Sequence, residues 1–72
     1  MKYKCRLKAI LADLNVKHGD FADEIGIDRS SLSAIVNSKS LPSFDTLYTI
    51  VEEIRNIDPA INLEDIWVKI EE

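Results

Sequence analysis

Residues 29–40, RSSLSAIVNSKS, carry side chains suited to hydrogen-bond recognition. Arg29 presents a planar fork of N–H donors that fits two neighbouring acceptors. Ser30, Ser31 and Ser33 are short groups that both donate and accept. Three serines in four positions are a poor choice for helix propensity alone, which favours a use for their hydroxyls. The plainer reading is that they keep an exposed helix polar, and that Arg29 pairs with Asp28 or Glu24. Catalysis has no support, because His18 has neither a nucleophile nor a ligand cluster beside it. One histidine and one cysteine, with twelve residues between them, do not make a structural zinc site. Neither an enzyme nor a cofactor is expected.

These groups need elements to hold them, and the apolar spacing supplies five helices and no convincing strand. Leu7, Ile10, Leu11 and Leu14 line one face of a helix over about residues 4–15. Phe21, Ala22 and Ile25 form the edge of a second, over about residues 19–25, and Gly26 can end it in the left-handed conformation. Asp28 can cap a third helix carrying Leu32 and Ile35 inward, with Asn37 as its left-handed end. Pro42 holds Leu41 out of helical geometry and Ser43 caps a fourth helix. Phe44, Leu47, Ile50, Val51 and Ile54 make the apolar face of that fourth helix, which ends near Arg55 or Asn56. Asn62, with Asp65 three residues on, opens a last helix over about residues 62–71. Its apolar face is Leu63, Ile66, Trp67 and Ile70. The expected fold class is all-α, a compact five-helix bundle in one domain over residues 1–72.

Helices two and three form the skeleton of a helix-turn-helix: small Ala22 lets another backbone approach, and Gly26 turns the chain. The stretch VKHGDFADEIGIDRSSLSAIVNSKSLPS resembles the Cro/repressor type of helix-turn-helix domain, the family also named for the xenobiotic response element. Phe21-Ala22, Gly26-Ile27, Leu32-Ser33, Ile35, Asn37, Lys39 and Pro42-Ser43 carry the likeness, and the fourth helix and the segment LEDIW continue it. The resemblance covers nearly the whole chain. It implies a lambda-repressor-like five-helix domain, with its motif over about residues 18–37, that binds double-stranded operator DNA as a homodimer to regulate transcription.

In such domains the third helix enters the major groove. By position, Arg29, Ser30 and Ala34 would then face base edges, with Ser33 beside them. Arg29 could pair with guanine O6 and N7, and Ala34 could touch a thymine methyl. Lys17, His18, Ser31, Asn37, Lys39 and Ser40 are the expected backbone contacts. The chain departs from the family at Lys17, which replaces a capping Thr or Asn. Ala34 takes the place of a long polar reader, and Val36 and Ser38 stand where Glu and Gly are common. Val36 either tucks under the SKSLPS loop or marks a protein contact.

The formal charge of −4 looks wrong for a DNA partner until it is counted by halves. Residues 1–43 hold Lys2, Lys4, Arg6, Lys8, Lys17, Arg29 and Lys39 against Asp13, Asp20, Asp23, Glu24 and Asp28, a net +2. Residues 44–72 hold eight acids against Arg55 and Lys69, a net −6. An acidic rear limits non-specific binding and orients the basic half toward an anionic partner.

A chain of 72 residues buries only about 60% of its unfolded surface, so a second copy is the cheap way to stabilise it. Leu63, Ile66, Trp67 and Ile70 are the expected dimer face, with Leu41 and residues 57–61 as rivals. Trp67 belongs either to the core or to that face. No apolar run approaches the roughly 18 residues of a membrane span. The basic start lacks a signal peptide's apolar core, and the single Cys5 suits a reducing setting, so a soluble cytoplasmic protein is expected. No sensing domain for a small-molecule ligand fits, which leaves a regulatory protein partner as one means of control. Stand-alone domains of this kind resemble regulators of phages and other mobile elements. The alternative is a protein-interaction module, an anti-repressor or adaptor, that keeps the fold without binding DNA.

Overall fold

The computed structural model describes residues 2–70. Its elements run β1 (Tyr3–Cys5), α1 (Leu7–Asp13), α2 (His18–Ile25), α3 (Arg29–Val36), α4 (Phe44–Ile57), α5 (Leu63–Ile66) and β2 (Trp67–Lys69). The five expected helices are present. The all-α expectation is corrected at both ends, where β1 and β2 pair antiparallel with Tyr3 opposite Lys69, Lys4 opposite Val68 and Cys5 opposite Trp67. The first helix therefore starts at Leu7 instead of near Lys4, and the last ends at Ile66 instead of running to residue 71. Residues 71 and 72 of that expected helix lie outside the described residues.

The ribbon wins because it satisfies backbone groups that a lone terminal turn leaves open, and an isolated helical nucleus is costly. The Arg6 N–H donates to the Ile66 carbonyl at 2.7 Å, and the Ile70 N–H to the Lys2 carbonyl at 2.7 Å. Alternation does the rest: Cys5 and Trp67 face each other on the inner side, and both are buried.

Every helix contributes to one core. Leu7 and Leu11 come from α1, Phe21 and Ala22 from α2, Leu32, Ile35 and Val36 from α3, Ile50 and Ile54 from α4, and Ile66 from α5. Each fully buried large side chain contributes about 1.5–3 kcal/mol. Phe44 departs from expectation: it is 77% exposed and stacks on Tyr48 with ring centroids 6.3 Å apart. At α4's first position it overhangs the core instead of entering it. Trp67 lies in the core, with its Nε1 buried and lacking an acceptor among the described residues.

Three helices end in the same way. After α1, α2 and α3 come Asn15, Gly26 and Ser38, at φ 60°, 75° and 60°. Each closes a paired set of bonds of the Schellman type. In the α2 turn Gly26 donates to Asp23 at 3.3 Å and Ile27 to Ala22 at 3.0 Å. In the α3 turn Ser38 donates to Ile35 at 3.1 Å and Lys39 to Ala34 at 2.9 Å. The left-handed residue after α3 is thus Ser38, not Asn37, whose φ is −90°. Among the described residues no helix is long and apolar enough to cross a membrane.

Candidate nucleic-acid interface

The candidate interface is built on α2 and α3. Ala22 is fully buried where α2 meets its neighbours, and the left-handed Gly26 sets the angle at which α3 leaves. Leu32, Ile35 and Val36 hold α3 to the core, so its 3.6-residue period turns Ser30, Ser33, Ala34 and Asn37 outward. Ser30, Ser33 and Asn37 are exposed and Ala34 is half-buried.

Asp28 stands before α3 in an extended conformation, but its side chain makes no cap hydrogen bond. The expected cap is absent, so Asp28 acts there through its charge near the helix's positive end. At the other end Asn37 folds back, and its Nδ2 donates to the Ser33 carbonyl at 2.9 Å and to Ser33 Oγ at 3.3 Å. That bond ties two of the expected contact residues together.

Arg29 rests against α2. A Cβ placed on Gly19 would lie 2.8 Å from the Arg29 guanidinium carbon, so the absence of a side chain at 19 makes the seat. The exposed guanidinium is thereby held near the start of α2, where Lys17 is exposed and His18 half-buried.

On the opposite flank of α3, a groove of about 450 Å³ is bordered by Ser30, Ser31, Ala34 and Ser40 with Leu41, Ser43 and Thr46. It runs between α3 and the start of α4. Ser43 caps α4, accepting from the Thr46 N–H at 3.4 Å while its hydroxyl donates to Thr46 Oγ1 at 3.1 Å. Lys39 and Ser40 are exposed just beyond α3, and their N–H groups are both turned inward to the Ala34 carbonyl. Only their side chains are left to donate to an outside partner.

A family model described as helix-turn-helix matches residues 7–61. The chain belongs to the Cro/repressor type of helix-turn-helix family. It is a DNA-binding protein of the transcription-regulating kind. In comparisons with curated proteins and with solved structures, none matched.

Within this helix-turn-helix protein, the expected site residues divide into three groups. Ser30, Ser31, Ala34 and Ser40 share the serine groove; Lys17, His18 and Arg29 gather at the start of α2; Ser33, Asn37 and Lys39 follow the exposed line of α3. Sequence reasoning missed two contributors. Gly19 was legible, since a glycine in a helix's first turn costs stability and needs a reason. Thr46 gave no local signal, because only packing of α4 beside α3 brings it to the groove.

Proposed function

We propose that this chain is a repressor-like regulator that reads a palindromic operator as a homodimer. The observation that carries this reading is the outward face of α3, polar except at Ala34 and flanked by a seated arginine and a serine groove. With α3 in the major groove, Arg29 pairs with a guanine edge, worth about 1–3 kcal/mol of discrimination. Ser30, Ser33 and Ala34 meet neighbouring bases. Lys17, His18, Ser31, Asn37, Lys39 and Ser40 hold phosphates and fix the register. Two copies would set their reading helices about 34 Å apart.

Ile66 and Trp67 are buried within one chain, so Leu63 and Ile70, at 40% and 46% exposure, are what the expected dimer face offers a second copy. Leu63 borders an apolar groove with Tyr3, Leu41, Leu47 and Trp67. Leu41 also borders the serine groove beside α3, so a second copy seated there adjoins the reading surface. Sedimentation should give a dimer on DNA, and Leu41→Glu with Leu63→Glu should give a monomer.

The test of the function is a titration into random-sequence and selected duplexes at low and moderate salt. Salt-sensitive binding that is tighter on the selected duplex and loses its preference in Arg29→Ala is the expected result. No binding at about 50 mM salt, where counterion release is most favourable, would overturn it.

A further inference from the structure

The positive charge of the amino-terminal half is held in one place. Lys2, Lys4, Arg6 and Lys8 stand in residues 2–8 with no acid among them. Residues 9–43, which contain the whole motif, carry Lys17, Arg29 and Lys39 against Asp13, Asp20, Asp23, Glu24 and Asp28, a net −2. The residues around the motif therefore bring no net positive charge to a polyanion. The basic segment adds long-range attraction if it lies where the duplex lies.

The fold fastens that segment to the end of α3. The Cys5 N–H donates to Ser38 Oγ at 3.0 Å, two residues past the helix. A groove of about 570 Å³ is bordered by Lys4, Cys5, Arg6, Lys8, Ala9, Ala12 and Val36, the last being the final residue of α3. Lys4, Arg6 and Lys8 are exposed, and none of the residues bordering the groove is acidic. In β1 the alternation that buries Cys5 turns Lys4 to the opposite face. Among the described residues that border the groove, three cations thus stand with no acid beside them, next to the end of the helix that follows the base edges.

We infer that Lys4, Arg6 and Lys8 form a phosphate-binding flank that carries the interface past α3 along the backbone of the duplex. The inference rests on the reading of this chain as a DNA binder. The flank adds affinity without sequence preference, and it supplies the net positive charge that the residues around the motif do not bring.

The experiment measures affinity for the selected duplex across a salt series. It compares the wild type, the triple variant Lys4→Gln, Arg6→Gln, Lys8→Gln, each single change, and Arg55→Gln on α4 as a charge control. The slope of log K against log salt should become shallower by about 0.9 for each phosphate no longer neutralised, so by roughly 2–3 in the triple variant. Arg55→Gln should leave it unchanged. Backbone protection should retreat at the flank while base preference is kept. The urea midpoints confirm that the variants fold, and a triple variant that fails to fold passes the test to the single changes. A wild type that binds while the variants keep its slope overturns the flank and leaves the function standing. A wild type that fails to bind overturns both.

Discussion

The turns at Gly26 and Ser38 close their helices with the same pair of backbone bonds, yet they are made from different residues for different reasons. A Cβ on Gly26 would meet nothing within 4 Å, so the glycine serves its φ of 75° and not any shortage of space. Ser38 holds φ 60° with a side chain present, a conformation that costs an L-residue about 1–2 kcal/mol. Its hydroxyl offsets that cost by accepting the part-buried Cys5 N–H. The first turn is self-sufficient and sets the angle of the motif. The second is an attachment point that binds the amino-terminal strand to the end of α3.

Substitutions at the two turns can break this contrast. The largest effect is expected for Gly26→Val, where a β-branched side chain meets a positive φ. A loss of about 2 kcal/mol should appear as a lower urea midpoint at unchanged m. Ser38→Ala keeps the strain and orphans the Cys5 N–H. It should cost about 1–2 kcal/mol and speed exchange of the Cys5 amide in particular. Ser38→Gly removes the strain and the bond together, so its midpoint should stay within about 0.5 kcal/mol of wild type. If Ser38→Gly instead matches Ser38→Ala, the strain is not real and the contrast falls.

A second glycine sharpens the point. Gly19 has an ordinary φ but little room, so Gly19→Ala should gain about 0.5–1 kcal/mol of helix stability while pushing Arg29 off its seat. Higher stability with weaker DNA binding is the expected pair of results. The smallest effect concerns Cys5. Burial pushes its thiol up, opposed by a hydrogen bond from the Leu7 backbone. The unfolded chain ionises first, so stability should be level at neutral pH. It should decline once the pH passes the thiol's ordinary range, and Cys5→Ala should remove that decline.

Much of the motif was legible because its signals are local. Phe21, Ala22, Leu32 and Ile35 keep helical spacing, and Gly26 marks the turn without reference to anything distant. The same local reading misled at the ends. Leu63, Ile66, Trp67 and Ile70 fit a helical face, but Trp67–Lys69 is a strand because Tyr3–Cys5, from the far end of the chain, pairs with it. Both strands lie outside the span that matches the helix-turn-helix family, residues 7–61. Asp28 had the right type for a cap and does not make one, and Asn37 yielded the left-handed position to Ser38. At the site, residue types suggested which side chains face outward. Gly19 was marked as a glycine in a helix's first turn, but its role as the seat of Arg29, like the place of Thr46, emerges only from the packing of one helix on another.

The sequence by itself determined the helices, the turn between α2 and α3, and the division of charge into a net-positive amino-terminal half and a net-negative carboxy-terminal half. These follow from spacing, backbone preference and counting, which act within a few residues or need no geometry. Only the tertiary structure decided what closes the chain's two ends, why a serine tolerates a left-handed turn, and where the basic segment lies. Each of those depends on a hydrogen bond or a contact between residues far apart in the chain, and such partners leave no trace in local periodicity.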